Sequence, residues 1–299
     1  MQPLQPEAIT LDTILLGLQG KRHLHVDVLR LDKIHPVISG NKWFKLSRYI
    51  SQATSERATH LISFGGAYSN HLLAVAAAGE LNSLETIGII RGEEPHTLSP
   101  TLTDCKQLGM ELHFVSRARY RAGLLPPGLT ALKEQAVVIP PGGFGEAGAN
   151  GAQAILDLAG IGKHTHIFCA VGTGTMLAGL VAGAGPAARC TGIAVTAGNA
   201  SLRQEINQLL PAERADDFDL LSEYAFRGFA KFEPQLIGFM NYLYGSTGIP
   251  TDFVYTGKLF FAVADLVARN SLPDDAKVLV IHSGGLQGNR SLPVGSLQF

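Results

Sequence analysis

Two lysines three residues apart open the chemical reading of this chain. They lie in "SGNKWFKLSRY", Ser39 to Tyr49, as Lys42 and Lys45 beside Gly40 and Asn41. The second half of the stretch reads as the first turns of a helix. A lysine near a helix N-terminus or another cation has a lowered pKa, which favours the free amine that condenses with aldehydes. Lys45, one turn on, can point a full charge at a phosphate. The bland alternative is a helix capped by Ser39 with both lysines solvated. A second stretch, "AVGTGTMLAGL", reads as a strand ending at about Val171 and turning through Gly172, Thr173, Gly174 and Thr175 into a helix. Backbone N–H groups and two hydroxyls at the positive end of a helix suit a phosphate. The spacing is neither that of a nucleoside-triphosphate loop nor that of a dinucleotide fingerprint. A tight strand–helix turn is the alternative. In a third stretch Gly65 and Gly66 follow a strand, and Ser69, Asn70 and His71 open a helix. Ser and Asn are ordinary caps, or they present a hydroxyl and an amide to a ligand.

Each signal alone is weak, but the combination is specific. An amine, a Ser-Asn helix start and a phosphate cradle are what a pyridoxal 5'-phosphate site needs. The aldehyde needs a lysine, the ring hydroxyl a donor and the phosphate a nest.

The elements that must position these residues alternate. Strands are expected at 59–64, 85–92, 111–116, 136–143, 166–171, 191–198 and 276–285. Helices are expected at 69–81, 99–110, 148–160 and after the glycine turn at 172–175. The more polar 116–128 reads as a surface loop. Strands followed by helices at this rhythm imply right-handed βαβ units and mostly parallel sheet. Ligands in such sheets sit beyond the carboxyl ends of the strands, where the glycine loops fall.

Composition narrows the partners. The 299 residues carry 24 basic and 25 acidic side chains, a net charge of −1. Neither nucleic acid nor an anionic membrane is an expected partner. The three cysteines, Cys105, Cys169 and Cys190, form no CxxC pair, and no metal site is expected. The opening residues have no basic n-region, and no apolar run approaches the roughly 20 residues that span a bilayer. A cytoplasmic location is the expectation.

"SGNKWFKL", "FGGAYSNHLLAVAAAG", "VGTGT", "DFVYTGK" and "VIHSGG" resemble, in order and spacing, the 1-aminocyclopropane-1-carboxylate (ACC) deaminases and D-cysteine desulfhydrases. These belong to the tryptophan synthase β-like, fold type II, pyridoxal phosphate enzymes. The resemblance runs from about Arg30 to about Gly285. It implies an α/β fold of two three-layer αβα lobes with mostly parallel sheets, the larger from 1–45 and 151–299 and the smaller from 46–150. It also implies the residue roles. Lys42 matches the Schiff-base lysine, and Lys45 a lysine on the phosphate. Asn70 matches the asparagine on the ring hydroxyl. Ser69 matches a serine that binds the substrate carboxylate or shuttles a proton, with His71 beside it. Gly172 to Thr175 match the phosphate loop, and Tyr255 a tyrosine near the substrate.

Three positions bear on the reaction. Thr256 stands where ACC deaminases carry Glu, and Ser283 where they carry Leu. A hydroxyl cannot keep the ring nitrogen protonated as a carboxylate can, so the electron sink is shallower. This favours α,β-elimination over ring opening. Phe229, in "RGFAKFEP", stands where the family has a substrate-side tyrosine. The implied activity is elimination from D-cysteine or a related small amino acid, giving a keto acid, ammonia and the leaving group. An ACC deaminase, a pyridoxal phosphate protein with another amino-acid substrate, and a non-enzymatic phosphometabolite binder are the alternatives. Members are commonly homodimers, and the apolar segments 236–244 and 258–267 suit either core or interface.

Overall fold

Two sheets organise the residues described in the computed structural model, 2–158 and 163–299. The first sheet opens with β1 (Leu11–Gly17) and β2 (His23–Arg30). The chain then forms α1 (Asn41–Glu56) and builds the second sheet. That segment runs β3 (His60–Gly65), α2 (Asn70–Asn82), β4 (Glu85–Arg91), α3 (Pro100–Gln107), β5 (Glu111–Val115), α4 (Arg117–Arg121) and β6 (Ala136–Ile139). After α5 (Glu146–Gln153) it returns to the first sheet. There it forms β7 (His166–Val171), α6 (Thr175–Gly183), β8 (Arg189–Ala194), α7 (Leu202–Asn207) and β9 (Asp219–Leu221). The helices α8 (Pro234–Thr247) and α9 (Thr256–Ala268) precede the last strand, β10 (Val278–His282).

The first sheet has the order β1-β2-β10-β7-β8-β9, and the second β5-β4-β3-β6. Only β1 and β2 pair antiparallel; every other pairing is parallel. Parallel strands need crossovers, and the helices that make them cover the faces. Side-chain alternation along single strands shows the layering. Ile167, Cys169 and Ile281 enter one core, whereas Phe168, Val278 and Val280 enter another on the opposite face. In β3, Leu61 and Ile62 likewise point into different cores. Helix α2 is buried from His71 to Gly79, which its run of alanines permits.

Helix α1 joins the two halves. Its Phe44 packs into a core of the first sheet, and its Leu46, Tyr49 and Ile50 into a core of the second. Lines drawn at 45/46 and 150/151 therefore fall inside α1 and α5.

Several elements differ from expectation. Strands β1, β2 and β9 were not anticipated. The strand expected at 136–143 ends at Ile139, because Pro140 and Pro141 have no N–H to donate. The helix expected at 148–160 starts at Glu146 and stops at Gln153; residues 159–160 of that expectation lie outside the described residues. The segment 116–128 holds α4. Of the two apolar segments, α9 is core from Thr256 to Asp265. Helix α8 buries Leu236, Phe239, Met240 and Leu243, one stripe at helical spacing. All three cysteines are free and buried, and burial pushes Cys105 and Cys190 up to about 12. Among the described residues no helix is long and apolar enough to cross a membrane.

Candidate active site

The two lysines reach the cleft because Gly40 lets the chain bend there. Its φ is 71°, and a Cβ on it would lie 1.7 Å from the carbonyl oxygen of Ser283. That carbonyl accepts the N–H of Asn41 at 3.1 Å. The loop after β10 is therefore locked against the start of α1. Gly285, with φ 83°, makes the same kind of close approach to the amide of Asn70 at the start of α2. Three segments distant in sequence thus meet at one cleft of about 620 Å³.

Lys42 lines this cleft. Its Nζ donates to Asn41 Oδ1 at 2.9 Å and lies 5.9 Å from the centroid of the Tyr255 ring. Burial lowers its pKa to about 8, against the pull of the Asp252 carboxylate. Lys45 is buried beside it and donates to Gly142 O at 3.3 Å. Burial, then the charge of Lys42, holds its pKa well below the ordinary value.

Helix α2 contributes the next three groups. Ser69 caps it, its Oγ accepting the N–H of Leu72 at 3.2 Å, which leaves the hydroxyl proton free. Asn70 donates to Gly285 O at 3.1 Å, and its Oδ1 is buried without a protein partner. His71 Nε2 is 2.9 Å from Ser63 Oγ, which itself donates to Ile139 O at 2.9 Å. The single hydroxyl proton is thereby committed, so Nε2 carries the imidazole hydrogen and Nδ1 is an acceptor. Burial and the two lysines keep this imidazole neutral.

The opposite wall carries the cradle. Gly174, with φ 82°, starts α6 without a side-chain cap, although Thr175, Met176 and Leu177 are buried. A buried helix start without a cap leaves N–H donors for an anion. A Cβ on Gly142 would lie 2.9 Å from Thr173 Cγ2, so the Gly142 carbonyl that holds Lys45 adjoins this turn. Tyr255 packs against Gly172, and Phe229 meets Tyr255 edge-on at 5.9 Å. Burial and the Asp252 charge push the Tyr255 phenol up, so it keeps its proton.

Lys42, Lys45, Ser69, Asn70, His71, Gly172, Thr173, Gly174, Phe229, Tyr255 and Ser283 all line the one cleft. Two expected contacts do not. Thr175 is fully buried, its hydroxyl 3.0 Å from that of Thr173. Thr256 is also fully buried. Its hydroxyl donates to Asp252 Oδ1 at 2.9 Å and accepts the Asp252 N–H at 2.8 Å. Its pairing with Asp252 consumes it, and of the two hydroxyls expected near the ring nitrogen only Ser283 faces the cleft.

Sequence reading missed several groups. Asp252 accepts the N–H groups of Val254, Tyr255 and Thr256 at 2.8–3.0 Å and fixes the turn that presents Tyr255. The available signal was an Asp set among apolar residues just before a helix start, where its carboxylate can accept nearby backbone N–H groups. Lys258, fully buried, donates to Ala225 O at 2.7 Å, Gly228 O at 2.8 Å and Val195 O at 3.4 Å. It ties together the segments that carry Thr196, Phe229 and Tyr255. The hydroxyl of Thr196 is buried at the cleft without a partner. Arg91 and Tyr120 also line the cleft.

These residues fit pyridoxal phosphate. An uncapped buried helix start and a buried lysine suit its phosphate. The orphaned amide oxygen of Asn70 suits its ring hydroxyl, and the Lys42 amine its aldehyde.

The comparisons with known proteins agree with this chemistry. The family described as "Pyridoxal-phosphate dependent enzyme" matches residues 12–284, and the chain belongs to that family. It is similar to the D-cysteine desulfhydrase of Salmonella choleraesuis, 26% identical over 285 residues and covering 86% of each chain. It is also similar to the mitochondrial bifunctional D-cysteine desulfhydrase/1-aminocyclopropane-1-carboxylate deaminase of Arabidopsis thaliana. That likeness is 27% identity over 280 residues, 84% of this chain and 70% of the relative. The crystal structure of an ACC deaminase homologue superposes with a TM-score of 0.78 at 27% identity, covering 96% of this chain and 94% of that one. The fold is accordingly tryptophan synthase β-like. The protein is a pyridoxal phosphate enzyme of the ACC deaminase/D-cysteine desulfhydrase type.

Proposed function

We propose that the protein is a lyase that removes the β-substituent and the amino group from D-cysteine or a related small amino acid. The products are a keto acid, ammonia and the leaving group. The observation that carries this reading is the convergence of the Lys42 amine, the uncapped start of α6 and the Ser69–Asn70 helix start on one cleft. Pyridoxal phosphate, held by Lys42, Lys45, Asn70 and the Gly172–Gly174 turn, supplies the electron sink that acidifies Cα. Lys42, once free, takes the Cα proton, and Ser69, with an uncommitted O–H, binds the substrate carboxylate. Tyr255, which retains its proton, donates a hydrogen bond to the departing group. Ser283 faces the cleft where a carboxylate would deepen the sink, which favours elimination over ring opening.

In this reading the second sheet and its helices, about 46–150, form a smaller lobe that brings Ser69 to the larger one. We expect a homodimer, to be measured by light scattering. The lyase reading is tested with the purified protein. Its visible cofactor band should vanish in Lys42→Ala, and D-cysteine should yield sulfide and pyruvate faster than ACC yields ketobutyrate. A Lys42→Ala protein that retains covalent cofactor would falsify the assignment, and faster turnover of ACC would reverse the preference.

A further inference from the structure

Beside the cleft lies a smaller cavity of about 440 Å³, bounded by Arg91, Arg117, Tyr120 and Arg121. Arg91 and Tyr120 line both cavities, so the two spaces adjoin. Arg91 is the last residue of β4, at the carboxyl end where the site gathers. Its guanidinium lies 6.0 Å over the Tyr120 ring and 3.9 Å from where a Cβ on Gly66 would stand. Gly66 begins the turn that leads to Ser69. Helix α4 supplies the rest. Arg117, Tyr120 and Arg121 are spaced i, i+3 and i+4 and share a face. Arg119 is anchored separately, donating to Leu125 O at 2.6 Å.

The charges at this cavity are uncompensated. Eight other arginines form ion pairs, from Arg22 with Asp274 to Arg290 with Asp104. Arg91, Arg117 and Arg121 form none among the described residues, although Glu93 and Glu94 follow Arg91 closely. Three like charges around one concavity repel one another until an anion arrives. Guanidinium is also the cation whose fork matches carboxylate and phosphate oxygens.

We propose that Arg91, Arg117 and Arg121 form an anion subsite that receives a second, side-chain anion of the substrate while its reacting end lies near Lys42. The preferred substrates are then β-substituted alanines whose leaving group is itself anionic and departs with the Cβ bonding pair: an O-phosphate leaving as phosphate, an O-sulfate as sulfate or an S-sulfonate as thiosulfate. This rests on the lyase reading and narrows its substrate class.

The test uses the holoenzyme and the variant R117Q/R121Q, in which two exposed side chains that do not line the main cleft lose charge. Ammonia release is measured for matched pairs in both chiralities: S-sulfocysteine, which releases thiosulfate, against cysteine, and O-phosphoserine, which releases phosphate, against serine. The wild type should favour the anionic member by at least about tenfold in kcat/KM. The variant should lose that preference while its rates on the neutral members stay unchanged. Calorimetric binding of O-phosphoserine and serine gives the same comparison without turnover. Equal losses on both members of a pair, or no charge preference in either rate or binding, overturn the subsite. A failure of the Lys42→Ala test would instead remove the lyase reading, and the charge preference in binding would still decide the subsite.

Discussion

A lysine that captures an aldehyde must spend time uncharged, and Lys42 does so through burial. Only the free base attacks, so capture of added pyridoxal phosphate by the apoprotein should accelerate as pH rises through about 8. Stopped-flow absorbance at a series of pH values reads this directly; a rate flat from pH 7 to 9 would contradict the shifted amine. Asp252 opposes the shift. In Asp252→Asn the opposing charge is gone, and the inflection should move to lower pH. The same variant loses a charged acceptor for three backbone N–H groups at the start of α9. Melting should show a loss of about 1–3 kcal/mol. His71 illustrates what a sequence withholds at this scale. The Ser-Asn-His string marked its place, but its neutral state follows from burial and the two lysines, and the direction of its hydrogen depends on Ser63 and on the carbonyl of Ile139, residues with no motif of their own.

Among the elements, the loop 225–231 depends most on a single side chain. Phe226, Arg227 and Ala230 all have positive φ, which side-chain-bearing residues rarely adopt. Lys258 reaches from α9 to two of the loop's carbonyls. Lys258→Met should leave those buried acceptors unpaired and cost about 2–4 kcal/mol. It should also raise KM more than it lowers kcat, because Phe229 rides on the loop and does not touch the reacting amine. Steady-state kinetics beside thermal denaturation separate the two effects. Gly40→Ala is the sharper test. With φ at 71° and a carbonyl oxygen 1.7 Å from the new Cβ, α1 and the loop after β10 cannot both keep their positions. Loss of cofactor uptake is expected even where some folded protein survives. The helix start at Asn41 was legible from "GNK", as was the turn at Gly172. Thr256 was misplaced because motif spacing fixed its position in the chain but not the commitment of its hydroxyl to Asp252.

Over the whole molecule, the cleft is walled by segments from both sheets, and a ligand gripping both walls binds only the assembled state. Cofactor removal should therefore lower Tm and hasten proteolysis, both reversed by adding pyridoxal phosphate back. An unchanged Tm would mean that the walls hold together without it. The parallel core of each sheet was readable from apolar runs followed by helices. The antiparallel β1–β2 edge was not, because its strands are half-exposed and mixed in character. The arginine cavity was invisible for a different reason. Arg91 ends a strand and Arg117 and Arg121 lie on a five-residue helix, and nothing in their spacing announces that they converge.

The sealed positions of Cys105, Cys169 and Cys190 also make the chain its own reporter of opening. An alkylating reagent finds no thiolate in the native state, so modification must wait for the cores to separate. The three sites should then react with iodoacetamide at one common, slow rate that tracks global unfolding, as mass spectrometry of quenched samples would show. A site that reacts early would expose a local breach in the core around it.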